Sequence, residues 1–236
     1  RAKFKFLFTY KNFYKFFLNL FFDKIYLDDD CVDKISEIKN LLNLINLNFL
    51  SDDLNTLNIK KINSRKLPFI SSANYTLLHF DEKWIYKEYI NTYTSIEPID
   101  IDQLNFFFKQ LILKFDKDLV VTTGYIENKF TKYFKNQYFK TLKNIYEFKF
   151  NNKKITFFDK LDIFELEKLI LNSDIVITCH GAPSHIAASL NKKTIDIIDD
   201  TENIFFDKWS SHFRQSLQLK RDKFYILSEK ILNQHQ

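Results

Sequence analysis

The stretch SDIVITCHGAPSHIAASLNKKTIDIIDD, from Ser173 to Asp200, decides the fold. It predicts a buried strand over Asp174–Cys179 and a second strand over Thr194–Ile198, because both segments are short, apolar and rich in β-branched residues. Between them, a tight loop leads into a helix that runs to Leu190, and Ser184 is predicted to cap this helix. The order strand, loop, helix, strand is typical of a parallel α/β sheet.

The loop between this strand and this helix is a candidate phosphate site. Gly181 is one of only two glycines in the chain, and a glycine lets the backbone approach a ligand closely. The start of the helix offers unpaired N–H groups and the positive end of the helix dipole. In an open α/β sheet, ligands bind at loops that follow the carboxyl ends of the strands.

The composition predicts a folded domain with a sizeable core. The chain has 236 residues, of which 45% are hydrophobic and 17% aromatic, and this excludes an intrinsically disordered protein. The net charge is +5, and lysines alternate with aromatic residues over residues 3–17. No nucleic-acid recognition motif accompanies them, so we attribute the pattern to AT-rich codons and expect no nucleic-acid partner. The charge leaves open a weak attraction to an anionic membrane surface.

The cysteines indicate the redox state of the compartment, and the apolar runs indicate whether a segment could span a membrane. Cys31 and Cys179 are the only cysteines, and they form neither a disulfide framework nor a zinc-binding spacing. A reducing compartment, the cytoplasm, is therefore expected. The run FFLNLFF (Phe16–Phe22) is too short to span a bilayer. Because the sequence begins at Arg1 and contains no Met, we expect it to be a fragment that lacks the N-terminal part.

Strands and helices alternate along most of the chain. Before Asn74, the pattern predicts a helix over 11–22, a strand over 24–27, a helix over 30–47 and a polar linker over 51–68. After it, strands are predicted over 74–80, 118–123, 155–158, 174–179 and 194–198. Helices are predicted over 101–114, 131–139, 162–171, 184–190, 213–218 and 228–233, and 144–150 fits either type. This alternation predicts an α/β fold whose parallel sheet carries helices on both faces.

Three segments resemble glycosyltransferase family 9, the lipopolysaccharide heptosyltransferases, and the GT-B fold more widely. They are LHFDEKW (Leu78–Trp84), LVVTTGYIEN (Leu119–Asn128) and LEKLILNSDIVITCHGAPSHIAASLNKKTIDII (Leu166–Ile198), and their order and spacing agree with the family. The resemblance implies that residues 71–236 form the C-terminal Rossmann-like domain that binds the nucleotide sugar. Residues 1–70 would then be the remnant of the N-terminal acceptor domain and the linker.

The sequence departs from the family at the glycine loop. The family has Asp-Ser before the glycine, whereas this chain has Cys179-His180, and Gly181 lies four residues before His185 instead of three. The carboxylate that would hold sugar hydroxyls is therefore missing at this loop. A different sugar, a divergent subfamily and a loss of activity are all open.

The resemblance implies a donor site with two parts and no metal. The residues expected to bind the donor diphosphate are Gly181, Ala182, Pro183, Ser184, His185 and Lys83. The residues expected to line the nucleotide cleft are Thr123, Gly124, Tyr125 and Glu127. His180 is the candidate catalytic residue, as a hydrogen-bond donor or a general base facing the sugar, although the main base is expected in the acceptor domain.

Each of these side chains has a simpler alternative. His185 can be a helix-packing residue, His180 a half-exposed loop residue, and Lys83 a solvated lysine beside a core Trp84. Cys179 as a nucleophile would need a base and a lowered pKa, so a small buried residue at a strand end fits it better.

Taken with the resemblance, these residues predict an inverting, metal-independent glycosyltransferase without a cofactor. Its substrate would be a nucleotide sugar, and its acceptor a cell-envelope glycan or lipopolysaccharide at the cytoplasmic face of the membrane. The alternative is a non-catalytic Rossmann-like binding domain derived from such an enzyme. A hydrolase that uses His180 and His185 ranks last, because the sequence has neither a G-x-S-x-G motif nor a metal-ligand set.

Overall fold

The structure is a computed structural model that describes residues 6–9, 24–27, 34–44, 57, 59–65, 74–85, 95–142, 144–199 and 203–234. The chain divides into two compact units. One comprises residues 1–54 and 204–212, and the other comprises residues 55–203 and 213–236. The domain boundary near residue 70 stays a prediction.

The first unit contains a small parallel sheet. Strand β1 (Phe6–Thr9) pairs with β2 (Lys24–Leu27), and the unit also holds helix α1 (Lys34–Leu44) and most of helix α7 (Asn203–Ser210). The predicted strand over 24–27 is confirmed, and the helix predicted over 30–47 is present as α1. The helix predicted over 11–22 lies outside the described residues.

The second unit contains the remaining elements. Its helices are α2 (Ile59–Ser64), α3 (Ile101–Phe115), α4 (Lys129–Gln137), α5 (Ile163–Asn172), α6 (Ala182–Ser189) and α8 (Phe224–Leu232). Its strands are β3 (Tyr75–His79), β4 (Leu119–Thr122), β5 (Phe139–Leu142), β6 (Ile145–Phe150), β7 (Lys153–Phe158), β8 (Ser173–Cys179), β9 (Lys193–Ile198) and β10 (Ser216–Lys220). A single 3₁₀ turn, Glu82–Trp84, follows β3.

The eight strands of the second unit form one sheet in the order β10-β9-β8-β3-β4-β7-β6-β5. All pairings from β10 to β7 are parallel, and only the β5–β6 and β6–β7 pairings at one edge are antiparallel. Numbered along the chain, the six parallel strands have the order 3-2-1-4-5-6, the order of dinucleotide-binding folds. The predicted α/β fold with a largely parallel sheet is confirmed.

Helices cover both faces of this sheet because successive strand residues point to opposite sides. On β3, Leu78 packs in a core with α3, α4 and α8, whereas Leu77 packs in a second core with α2, α5 and α6. Ile177 and Val176 on β8 divide between the same two cores. The near-continuous apolar strands are therefore explained by burial on both sides.

Side-chain caps fix where several helices begin. Asp162 accepts a hydrogen bond from the backbone N–H of Glu165, and the Glu165 side chain accepts one from the backbone N–H of Asp162, which makes a capping box for α5. Asn128 and Thr131 do the same for α4, and Asp100 caps α3. Each cap stabilises its helix by about 1 kcal/mol.

Two of the predicted segments, 213–218 and 51–68, have a different structure from the one predicted. The helix predicted over 213–218 is wrong, since Ser216–Lys220 forms β10 on the open edge of β9. Its alternating Leu217 and Leu219 fit a strand, and the tertiary pairing decides the outcome. The polar linker over 51–68 contains helix α2, whose Ile62 is buried against the second core.

In the described parts of the chain, we find no helix with both the length and the apolar character needed to cross a membrane.

Candidate functional site

The candidate site lies at the carboxyl ends of β3 and β8, which are neighbours in the sheet. Here the strand order reverses, because β4 and β7 lie to one side of β3 while β9 and β10 lie on the other side of β8. Such a reversal leaves a crevice between the two outgoing loops, and ligands of open α/β sheets bind in it. The Leu78–Trp84 motif and the glycine loop supply these two loops.

A buried tryptophan anchors the loop after β3. The Trp84 indole is fully buried, and its Nε1 donates a hydrogen bond to the carbonyl oxygen of His79 at 2.8 Å. The Asp81 carboxylate accepts a hydrogen bond from the backbone N–H of Lys83 at 3.2 Å. With its backbone held from both sides, the turn presents Lys83 toward the neighbouring loop.

Lys83 and Gly181 meet at the start of α6. Lys83 Nζ donates a hydrogen bond to the carbonyl oxygen of His180 at 2.8 Å. A Cβ atom on Gly181 would lie only 2.1 Å from this Nζ, so a side chain there would displace the ammonium group. Gly181 has φ 159° and ψ −158°, a conformation that is nearly exclusive to glycine. The sequence predicted both residues as diphosphate ligands, and they are in contact.

Arg221 contacts both the loop after β3 and the end of β8, and the sequence analysis did not identify it. Its Nη2 donates a hydrogen bond to the carbonyl oxygen of Lys83, and its Nη1 lies 3.7 Å from Cys179 Sγ. Its Nε lies 4.0 Å from Asp199 Oδ2, and both side chains are buried. Arg221 therefore ties the loop after β3 to the ends of β8 and β9.

The first turn of α6 differs from the prediction. Gly181 is the N-cap and provides no side-chain cap, whereas Ser184 lies inside the helix, so the prediction that Ser184 caps it is wrong. The Ser184 hydroxyl is buried and donates a hydrogen bond to Asp196 Oδ1 at 2.6 Å. Ala182 begins the helix, and Pro183 suits the first turn because the N–H it lacks has no partner there.

Two histidines and a phenylalanine form a ring cluster beside this turn. The ring centroids of His180 and His185 lie 5.2 Å apart, and both rings contact Phe213, at 5.9 and 5.1 Å. His180 Nδ1 lies 2.7 Å from Asp196 Oδ2. Asp196, in the middle of β9, is thus the second residue of the site, after Arg221, that the sequence analysis did not identify. Within the described ranges, no three His, Cys, Asp or Glu side chains are grouped to hold a metal ion.

The geometry argues against nucleophilic catalysis at this loop. Burial raises the pKa of the Cys179 thiol to about 12, despite the opposing charges of Arg221 and Lys83. The group is therefore a neutral thiol at physiological pH, and thiols react as thiolates. Ser184 donates to Asp196 and not to a histidine, so it lacks the activating base of a serine hydrolase.

The predicted nucleotide-cleft residues follow β4, on the other side of β3. Thr123 Oγ1 donates to Asp159 Oδ1 at 3.3 Å, so this hydroxyl supports the loop after β7. Tyr125 is 69% exposed. A hydrogen bond from Lys135, at 3.0 Å, lowers the pKa of Glu127.

Gly124 is packed against the Glu82 carboxylate, one oxygen of which is buried. A Cβ atom on Gly124 would lie 1.8 Å from Glu82 Oε2. This oxygen is buried, and no donor in the described part of the chain hydrogen-bonds to it. An unpaired buried acceptor is destabilising by about 1–3 kcal/mol. The absent side chain of Gly124 therefore creates the space that Glu82 occupies.

We expect Gly124→Ala to lower the free energy of unfolding by about 1–2 kcal/mol, because the added methyl group would press on the Glu82 carboxylate. Glu82→Ala should leave stability unchanged or raise it by about 1 kcal/mol, because it removes the unpaired oxygen. In the Glu82→Ala background, Gly124→Ala should cost less than about 0.5 kcal/mol. Urea unfolding of the four proteins measures this coupling, and an equal cost of Gly124→Ala in both backgrounds would contradict it.

A cavity of about 370 Å³ lies at the amino ends of the strands, on the side of the sheet opposite the candidate site. It is lined by residues at the amino ends of β8, β9 and β10, among them Asp174, Thr194 and Leu217. The loops of the candidate site leave the carboxyl ends of the strands, so this cavity takes no part in the site.

The match to one protein family agrees with the resemblance seen in the sequence. Residues 136–228 match the model of glycosyltransferase family 9 (heptosyltransferase), which confirms the resemblance for this part of the chain. No curated protein matches the chain significantly. Two solved structures of UDP-GlcNAc 2-epimerase from Methanocaldococcus jannaschii, one of them in complex with UDP-GlcNAc and UDP, are similar at 17% identity over 90% of this chain. Their TM-scores are 0.42 and 0.41, and the chain spans 49% and 50% of their lengths, about half of each.

Proposed function

We propose that this chain carries the donor site of an inverting, metal-independent glycosyltransferase of the GT-B type. The donor is a nucleotide sugar whose diphosphate binds between Lys83 and the start of α6. The observation that carries the proposal is the contact of Lys83 Nζ with the loop at Gly181, at the point where the strand order reverses. An ammonium group and helix N–H groups at one point are suited to bind a diphosphate.

The reaction transfers the sugar in one displacement. The acceptor hydroxyl oxygen forms a bond to the anomeric carbon, and the bond from that carbon to the diphosphate breaks, with the electron pair moving to the phosphate oxygen. The hydroxyl proton passes to a general base, which we expect to be a carboxylate in the acceptor domain. Lys83 and the N–H groups of α6 stabilise the negative charge that develops on the leaving diphosphate.

The nucleoside extends from the diphosphate toward the loop after β4. Gly124 and Tyr125 would lie beside the base or ribose there, and Glu127 would accept hydrogen bonds from ribose hydroxyls. The acceptor is a cell-envelope glycan or lipopolysaccharide, and the reaction takes place at the cytoplasmic face of the membrane, with peripheral contact favoured by the net charge of +5. The reaction requires no cofactor, and the nucleotide sugar is a substrate.

One observation favours a second function, that of a non-catalytic binding domain. Cys179 and His180 precede Gly181, whereas the family has Asp-Ser before its glycine. The carboxylate that would hold the sugar hydroxyls is therefore missing. A domain that binds nucleotides without turning them over would tolerate this change. Release of nucleoside diphosphate from a nucleotide sugar by a longer chain that includes the acceptor domain would exclude this alternative.

The donor site is tested by thermal unfolding of the full chain with ADP, UDP, GDP and CDP, their nucleotide sugars and inorganic pyrophosphate. At a concentration near 100 times Kd, the matching diphosphate should raise stability by about 2.7 kcal/mol, which is a Tm increase of about 5–10 °C. The corresponding nucleoside without phosphate is the control and should give a much smaller increase. A sample that unfolds cooperatively and is stabilised by none of the diphosphates would refute the proposal.

A further inference from the structure

A buried carboxylate lies directly behind His180. Asp196 on β9 is fully buried, and its Oδ2 lies 2.7 Å from His180 Nδ1. Its Oδ1 accepts a hydrogen bond from Ser184 Oγ at 2.6 Å. A carboxylate enclosed in protein is costly unless its oxygens are paired. Both oxygens of Asp196 are therefore committed to the glycine loop and the first turn of α6.

This contact fixes which nitrogen of the His180 ring carries a proton. An ionised carboxylate only accepts hydrogen bonds, so Nδ1 is the donor to Asp196. Any hydrogen bond from His180 to a bound substrate is then made by Nε2. Nε2 donates only when the ring holds both protons, and the charge of Asp196 balances the positive charge of that ring.

The position of His180 places it on the leaving-group side of the reaction. It directly precedes Gly181, the N-cap of α6, and its carbonyl oxygen accepts the hydrogen bond from Lys83. In an inverting displacement, the base and the leaving group lie on opposite faces of the anomeric carbon. A side chain next to the diphosphate loop is therefore on the side of the leaving group, and it does not serve as the base for the acceptor.

We propose that His180 and Asp196 form a dyad in which Asp196 is a positioning residue and His180 donates a hydrogen bond from Nε2 to the departing diphosphate. The inference rests on the proposed function. The dyad forms no covalent bond and passes no proton to the substrate. The ring takes its second proton from solvent when the diphosphate binds, and it then adds a second positive charge beside Lys83 as negative charge develops on the phosphate. His185 and Phe213 pack around the same ring.

The protonation of the ring is measured by ¹⁵N NMR of the full chain at pH 7.5, with and without inorganic pyrophosphate. His180→Gln identifies the His180 signals among the five histidines of the chain. We expect a protonated Nδ1 in both states and an Nε2 that gains a proton when pyrophosphate is bound. An unprotonated Nδ1, or an Nε2 signal that bound pyrophosphate leaves unchanged, would overturn the proposal without any need for a variant at Asp196.

The role of Asp196 is measured by the affinity for pyrophosphate. Asp196→Asn should weaken binding about tenfold or more, because it removes the negative charge that balances the doubly protonated His180 ring, and a neutral ring offers the phosphate no positive charge. In the His180→Gln background, the same substitution should change the affinity less than about twofold, because Asp196 acts through His180. Asp118→Asn is the control. Asp118 accepts a hydrogen bond from the backbone N–H of Lys154 at the amino ends of β4 and β7, whereas the candidate site lies at the carboxyl ends of the strands.

The outcomes separate this proposal from the proposed function. A wild-type chain that binds neither pyrophosphate nor any nucleoside diphosphate would overturn both. If the wild-type chain binds pyrophosphate, two results would overturn the dyad alone. In one, Asp196→Asn binds pyrophosphate as tightly as the wild type; in the other, Asp196→Asn weakens binding by the same factor in the wild-type and His180→Gln backgrounds.

Discussion

Lys83→Met is expected to weaken the binding of the nucleoside diphosphate by about 10- to 100-fold. The ammonium group lies against the carbonyl oxygen of His180 and the Cα of Gly181, at the positive end of α6. A hydrogen bond from a charged donor to a phosphate contributes about 1.5–3 kcal/mol, which corresponds to this range. Methionine keeps most of the apolar stem of lysine, so the loss reports on the charge. Isothermal titration calorimetry at fixed salt measures the affinity.

Lys149→Met is the matched control for this prediction. Lys149 is exposed on β6, near the antiparallel edge of the sheet, and its substitution removes the same charge far from the glycine loop. Its effect on affinity should stay within about twofold, because exposed charges are screened beyond roughly 10 Å at 0.1 M salt. Equal losses in the two variants would mean that Lys83 acts only through the net charge of the protein.

Phe134→Ala is expected to lower the free energy of unfolding by about 3–5 kcal/mol. The Phe134 ring is fully buried, stacks on Phe108 at a centroid distance of 5.4 Å, and contacts Phe157 at 5.3 Å and Tyr138 at 5.1 Å. Its removal leaves a cavity where α3 and α4 pack on the sheet, and it also removes favourable ring contacts. Chemical unfolding monitored by circular dichroism measures the change.

Phe106→Ala serves as the comparison for this substitution. Phe106 lies on α3 and is 61% exposed, so truncation removes the same atoms with little change in packing. Its effect should lie within about 0.5 kcal/mol of the wild type. A loss at Phe134 no larger than at Phe106 would contradict a core in which aromatic packing around α4 is a major source of stability.

The strands of the parallel sheet were predictable because their apolar, β-branched runs have few alternatives. Most residues of segments such as Leu119–Thr122 and Ser173–Cys179 are buried, on both faces of the sheet, and this favours apolar residues at most of their positions. The edge strand β10 was not predictable in the same way. Leu217 is 40% exposed, and the strand exists because β9 offers an unpaired edge, which is information from the tertiary structure.

The contact between Gly181 and Lys83 was foreseeable from the sequence, but the rest of the candidate site was not. The resemblance to the glycosyltransferase family led to the prediction that both residues bind the diphosphate, and the structure brings them into contact, while their role as ligands stays a prediction. Asp196 and Arg221 were missed, because their partners are distant in sequence. A signal for Asp196 did exist, since a carboxylate inside the apolar run TIDII cannot be buried without a hydrogen-bond donor. Only the fold identifies His180 and Ser184 as its donors.

The pairing of β3 with β8 has a consequence for the order in which this protein folds. Strands β3 to β7 all lie between Tyr75 and Phe158, and strands β8 to β10 lie between Ser173 and Lys220, so each half of the sheet can assemble from neighbouring segments. Joining the halves requires a long loop closure, which is slow, and the crevice above β3 and β8 forms only with that step. A diphosphate bound between Lys83 from one half and Gly181 from the other would therefore connect the two halves. It would lower the rate at which β3 and β8 separate during unfolding.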